Sequence, residues 1–297
     1  MEKIGSYVNG NTIVSIFDDG TKCRYYKDDQ VAIPLFPESI DLKITNMCNV
    51  GCAMCAECST PDGKHADLNH PILDSLRPYT ELAIGGGNPL DHPYLFEFLK
   101  NMHNKKVICN ITVNQKTFVE NLGFLHMLSD FGYIHGLGVS IPEAPSYYTI
   151  DKLKYFPNAA VHTIAGCTPA VTYKSLFDRN LNLLILGYKN KGRGVGYMKA
   201  GSSEILHNMY ELEKLLKNDM LSHFKAVAFD NLAIDELCLE NWIPQEQFNK
   251  LYMGDDGEFT MYIDLVNQTY GKSSMHELHP IDSDNIDGLF ANLRKGD

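Results

Sequence analysis

The chain has 297 residues, 44% of them hydrophobic, with a formal net charge of -11. That length and apolar content can build one large α/β domain or two small ones, and they exclude a disordered or fibrous chain. The acidic balance argues against a broad phosphate-binding surface, which would need clustered Lys and Arg, so nucleic acid is not the expected partner.

Residues 1–26 alternate apolar and polar positions, with turn signals at Asn9-Gly10 and Asp18-Asp19-Gly20. This pattern predicts a small β-meander. Cys23 falls in the strand over 21–26 and reads as a small packed residue. Pro34 and Pro37 mark a linker, which divides the chain into a meander with linker over 1–38 and a main domain over 39–297. From there a strand followed by a helical stretch repeats, the pattern of a parallel sheet or barrel. Strands are predicted over 40–45, 82–85, 107–113, 137–141, 160–164 and 183–186, with two further candidates over 226–229 and 259–266. Between the sixth and seventh, Ile205, Leu206, Met209, Leu212, Leu215 and Leu216 recur at helical spacing, as the core face of an amphipathic crossover helix requires.

Behind the first strand, four of the chain's eight cysteines crowd into one loop. Cys48, Cys52 and Cys55 are spaced C-x3-C-x2-C, and Gly51 permits the tight path that curls three thiolates around one 4Fe-4S cluster. Three sulfurs leave one iron unclaimed, which suits a cluster that must bind a small molecule. The competing readings are a zinc site and a disulfide framework. Cys58 would make a zinc pattern of C-x3-C-x2-C-x2-C, which is not a usual one, and disulfides would want an oxidising compartment. No signal peptide is apparent and no window approaches ~18 uninterrupted apolar residues, so a cytoplasmic location without a membrane span is expected.

At these residues the sequence resembles the radical SAM superfamily, whose cysteine loop follows the first barrel strand and whose open iron chelates S-adenosylmethionine (SAM). The family usually has an aromatic residue before the third cysteine; here Met54 occupies the place of that adenine contact. The second strand ends Gly85-Gly86-Gly87-Asn88-Pro89, which resembles the family's Gly-Gly-Glu-Pro, with Asn88 offering an amide oxygen in place of the acid. The resemblance therefore implies that Gly86, Gly87, Asn88 and Pro89 hold the methionyl ammonium. After the third strand, Thr112-Val-Asn114 is similar to Thr-Asn-Gly, which assigns Asn114 to the cofactor site. After the fourth, Ser140, ahead of Glu143, falls where the family places a polar contact to SAM. After the fifth, Ile164-Ala165-Gly166 resembles the adenine-contacting Ile-x-Gly kernel. A compact basic loop follows the sixth strand with Lys189, Lys191 and Arg193; it reads either as a solvated surface loop or as a carboxylate clamp, with Lys189 and Arg193 as its cofactor-binding members.

The histidines, His92, His126 and His162 among them, form no ligand pair and read as hydrogen-bonded or surface residues. Asp230-Asn231 and Asp264, Asn267 and Tyr270 lie in or just past the last two strands, where substrate contacts could arise, and nothing in their spacing identifies one. Cys109, Cys167 and Cys238 are too scattered for a second cluster, and Cys58 reads as a neighbouring thiol. The fold class implied is α/β: a parallel (β/α) barrel of radical SAM type with a partial, six-stranded core that two further strands close or extend. The activity implied is reductive cleavage of SAM at one oxygen-sensitive 4Fe-4S cluster, giving a 5'-deoxyadenosyl radical that abstracts hydrogen from a small-molecule or peptide substrate. An external electron donor such as flavodoxin or ferredoxin is the implied partner. The alternative readings are a non-catalytic iron-sulfur protein that carries electrons or acts as a sensor, and a zinc-stabilised binding module.

Overall fold

The computed structural model describes residues 1–26 and 31–295, so the linker expected ahead of Ser39 runs partly outside the described residues. Three antiparallel strands, β1 (Lys3–Asn9), β2 (Thr12–Phe17) and β3 (Lys22–Tyr25), form the expected meander. Asn9 does more than turn the chain. Its buried side chain donates to Phe36 O and accepts from Leu35 N, so it ties the first hairpin to the segment leading into the main sheet.

Eight parallel strands follow: β4 (Ser39–Thr45), β5 (Glu81–Gly86), β6 (Ile108–Asn114), β7 (Gly136–Ser140), β8 (Ala159–Ile164), β9 (Asn182–Leu186), β10 (Ala226–Phe229) and β11 (Thr260–Asp264). They run in the order β10-β9-β8-β7-β6-β5-β4-β11, all parallel. The two additional strands therefore lie one at each end of the six-stranded core. Among the described residues no ladder joins β10 to β11, which leaves the barrel open along that seam. Two short antiparallel strands, β12 (Thr269–Gly271) and β13 (His279–Pro280), continue the sheet beyond β11.

The helices are α1 (Leu95–Asn104), α2 (Gln115–Glu120), α3 (Leu122–Asp130), α4 (Tyr147–Leu153), α5 (Ala170–Leu176), α6 (Arg193–Lys217), α7 (Asn231–Glu236), α8 (Gln245–Leu251) and α9 (Ile286–Leu293). α1 shows why they form: Leu95, Phe98, Leu99 and Met102 recur at helical spacing and are all buried. The crossover stripe sits on α6, with Ile205, Leu212 and Leu216 buried. Leu206 departs from the expected stripe and is 67% exposed, because one residue along a helix is about 100° around it.

Strand alternation sorts the barrel into two faces. Ile40, Leu42, Ile44, Leu82, Ile84, Ile111, Val113, Val139 and Val161 point outward into one core, each stabilising the fold by roughly 1.5–3 kcal/mol through full burial. The alternate positions face the lumen and are largely polar: Asp41, Lys43 and Thr45 on β4, Asn110, Thr112 and Asn114 on β6, and His162 on β8. The meander closes the barrel's N-terminal end. Lys22 lies 3.2 Å from Glu81 and Arg24 lies 2.9 Å from Glu38, both at strand starts, while Val14 and Ile16 pack against Ile108. The opposite end is left for the connecting loops.

Candidate functional site at the C-terminal strand ends

The cysteine loop leaves β4 through Thr45, whose hydroxyl accepts from Met47 N at 2.9 Å and contacts His65 Nδ1 at 2.8 Å. Cys48 N donates to Thr60 O, Cys55 N to Cys52 O and Cys58 N to Cys55 O, so the loop is a pair of tight turns closed at its base. Gly51, at φ +72°, takes the left-handed conformation that the spacing anticipated.

Two cations hold this loop. Arg193, at the start of α6, donates Nε to Cys52 O at 3.0 Å and Nη1 to Ser59 O at 2.9 Å, and its backbone N–H reaches Cys55 O at 3.0 Å. Lys43 bridges Glu57 of the loop, 2.6 Å away, and Asp264 of β11, 2.9 Å away. Burial alone would lower the Lys43 pKa; its hydrogen bonds and attraction to the two carboxylates outweigh that and leave it raised. Asp264 is thus engaged with Lys43 and Asn267, and Tyr270 is buried in the core.

The end of β5 is fastened to the same loop. Gly87 N donates to Thr45 O and Asn88 N to Met47 O, both at 2.7 Å. A Cβ on Gly87 would lie 2.1 Å from Met47 O, and one on Gly86 would lie 2.4 Å from Thr45 O, so two backbones meet where only glycine fits. A Cβ on Gly85 meets nothing within 4 Å and would point into open space. Asn88 Oδ1 accepts from Leu90 N at a long 3.4 Å and starts the short turn that contains the buried Pro89.

That open space is a cavity of about 210 Å³ walled by Cys48, Cys52, Cys55, Ser59, Gly85, Gly86, Gly87, Asn88, Thr112, Asn114, Ser140 and Arg193, among others. Five separate stretches, from the cysteine loop to the start of α6, converge on it. A second chamber of about 390 Å³ shares Cys52, Cys55, Gly85, Gly86, Thr112 and Ser140 with the first and continues down the lumen past Met54, Ile164 and Lys189.

Most of the residues singled out from the sequence are therefore brought together, but Pro89 and Gly166 line neither chamber and the basic run is split. Gly166 packs against α6, where its added Cβ would meet Ile205 and its carbonyl accepts from Asn208, so it lines neither chamber. Lys189 faces only the second chamber, where its Nζ donates to Ser274 Oγ at 2.9 Å, and Lys191 Nζ reaches Ser274 O. The basic run is thus neither solvated nor gathered into one clamp. Arg193 does reach the first cavity, yet Nε and Nη1 already serve the cysteine loop, leaving Nη2 to meet a carboxylate. Cys58 is exposed, at φ +50°, and lines neither chamber.

Sequence reasoning passed over Ser59, Asp41, Lys43 and Glu57. The alternation of Asp41, Lys43 and Thr45 with Ile40, Leu42 and Ile44 was a usable signal, since polar residues at every second position of a central strand imply a polar lumen. His162 also differs from its reading as a surface or hydrogen-bonded residue. It is enclosed against Gly138, and burial lowers its pKa to about 4. His92 does hydrogen-bond, to Ala66 O at 3.0 Å.

The residues present fit a 4Fe-4S cluster and SAM. The three thiols line one cavity wall, and burial together with the Cys55 and Cys48 thiols raises the Cys52 pKa. The Ser59 hydroxyl is buried on that wall without a partner, a donor left for a ligand with acceptor atoms. Among the described residues no three of His, Cys, Asp or Glu gather closely enough for a single metal ion.

The architecture is a parallel (β/α) barrel, as the succession of strands and helices predicted, left open at one seam. Solved structures share it. Streptococcus suis SuiB bound to precursor peptide SuiA matches with a TM-score of 0.57 at 15% identity, over 89% of this chain and 67% of that one. SuiB bound to S-adenosylmethionine matches with a TM-score of 0.55 at 15% identity, over 87% of this chain and 66% of that one. The chain thus spans about two thirds of SuiB's length, and at such identities the likeness is one of fold. No family model matches the sequence, and no curated protein does. No helix among the described residues is long and apolar enough to cross a membrane.

Proposed function

We propose that the chain is a radical SAM enzyme that reductively cleaves SAM and abstracts hydrogen from a small-molecule or peptide substrate. The observation that carries this reading is the pair of joined chambers at the strands' C-terminal ends, where three cysteines, a glycine-only backbone junction and the ends of β6 and β7 face the same space. Cys48, Cys52 and Cys55 would hold the cluster. The bound pair would supply one-electron reduction of a sulfonium and a carbon radical, with the electron drawn from an external donor such as flavodoxin or ferredoxin.

The chain's own residues do the rest. Arg193, Lys43 and the Gly86–Gly87 junction fix the cysteine loop before any ligand arrives, so little ordering remains for binding to offset. Asn88, Asn114 and Ser140 offer polar contacts to SAM around the first cavity, and Met54 and Ile164 offer apolar surface to its adenine in the second. The barrel wall narrows the access of bulk water to the reacting carbon. SuiB is seen both with SAM and with a precursor peptide, which supports a peptide as one substrate class for this chain. An electron carrier or sensor has no comparable use for the second chamber.

The test is paramagnetic resonance of the anaerobically reconstituted, reduced cluster. Addition of SAM should change the spectrum, because SAM joins the open iron. An unchanged spectrum at saturating SAM would mean a closed cluster and favour the electron-carrier reading.

A further inference from the structure

Among the described residues, the other charged side chains that line the second chamber, Lys43, Glu57 and Lys189, are ion-paired or hydrogen-bonded within the protein. Lys43 is held by Glu57 and Asp264, and Lys189 by Ser274. Asp230, at the mouth of the lumen, accepts from Gly187 N and Ala233 N at 2.8 Å each, and Asp256 accepts from Asn231 Nδ2. Among the described residues Asp41 has no hydrogen-bond or ion-pair partner. It stands in the middle of β4, between the outward-facing Ile40 and Leu42, and lines the second chamber. In register it is flanked by Ala83 of β5 and Tyr262 of β11, and the small Ala83 leaves room beside its carboxylate. Water reaches the group through the lumen, but the surrounding wall pushes its pKa up, with Asp256 and Asp230 adding to the effect and Lys189 opposing it.

The Asp41 side chain is exposed to the lumen, so its carboxylate is open to a ligand that enters the chamber. The surroundings of Asp41 specify what it would take. The chamber has apolar wall from Met54, Ile164, Leu186 and Ala83, and of its two acids Glu57 is already paired with Lys43, which leaves Asp41 as the unpaired one. A divalent ion does not match, since no three donor side chains among the described residues are close enough to ligate one. An aliphatic chain carrying a terminal cation does match: the stem packs on the apolar wall and the head meets the acid. The way in is also present. Asp41, Lys189 and Ser274 are shared with an outer pocket of about 420 Å³, formed by the segment after β10 and the turn after β12, on the two sides of the open seam.

We infer that the second chamber is the substrate site, that substrate reaches it through the seam between β10 and β11, and that Asp41 receives an ammonium or guanidinium group on an aliphatic arm of that substrate. The arm then lies between Asp41 and the cysteine cavity, which places its methylenes toward the reacting centre. The assignment as substrate rests on the proposed function; the cation site itself does not.

The test uses two acetylated, amidated tripeptides, Gly-Lys-Gly and its norleucine counterpart, titrated calorimetrically into the anaerobically reconstituted protein at low salt. A charge-assisted contact within the chamber is worth about tenfold in affinity, so the lysine peptide should bind roughly 10-fold more tightly than the norleucine one. That preference should disappear in the near-isosteric Asp41→Asn variant, whose melting temperature and iron content report its folding. Equal affinities in the wild type, no binding of either peptide, or a preference that survives Asp41→Asn would each overturn the inference; the wild-type comparison decides even if the variant does not fold. Release of 5'-deoxyadenosine, measured separately on the wild type, judges the radical reading, so a failure of one is not mistaken for a failure of the other.

Discussion

Arg193→Ala removes the two side-chain hydrogen bonds that bind the cysteine loop to α6 and keeps the backbone bond to Cys55 O. Hydrogen bonds from a charged donor are each worth about 1.5–3 kcal/mol when buried; Arg193 is only half-buried, so the pair should stabilise the loop by roughly 2–4 kcal/mol. The loss is local, because the barrel core lies elsewhere. The variant should therefore melt close to wild type but retain little iron after anaerobic reconstitution, with amide exchange faster over residues 48–59. Arg193→Lys should behave nearly as badly, since one ammonium on a flexible stem does not reproduce the planar fork. Iron and sulfide analysis beside hydrogen exchange is the assay. Full cluster content with unaltered exchange in Arg193→Ala would refute the clamp.

Gly87→Ala, with its Cβ 2.1 Å from Met47 O, should lower stability by more than about 2 kcal/mol in denaturant titration, whereas Gly85→Ala, with nothing within 4 Å, should fold normally but weaken SAM binding by filling the cavity. Cys55→Ala should abolish the cluster and Cys58→Ala should keep it; equal loss in both, by iron analysis, would contradict a three-cysteine site. For His162, whose pKa falls from the usual 6.5 to about 4, the unfolded chain takes up the proton first as pH drops. Stability is thus full above pH 6.5 and declines toward pH 4, by up to roughly 3 kcal/mol, and His162→Gln should flatten that decline in urea titrations across the range.

The eight parallel strands were legible because each is a short apolar run or alternation bounded by turn residues, and the final two candidates at 226–229 and 259–266 both form. The open seam was not legible, since whether β10 and β11 pair depends on packing between elements far apart in sequence. β12 and β13 escaped because three and two residues carry no periodicity. The cysteines and the glycine run were visible as spacing, a local property. The function of Arg193 was not, as its partners Cys52 and Ser59 lie 141 and 134 residues away. Gly166 matched a motif in sequence yet faces α6, because its positive φ, +75°, turns the chain away from the lumen. Asp41 went unremarked for a different reason: a lone acid within a strand is conspicuous only once its lack of a partner is known.

The most direct test of the radical reading is chemical. Anaerobically reconstituted protein, given SAM and either dithionite or reduced flavodoxin, should release 5'-deoxyadenosine, and Cys52→Ala should release none. A cluster that is reduced in the presence of SAM while the SAM stays intact would contradict the account.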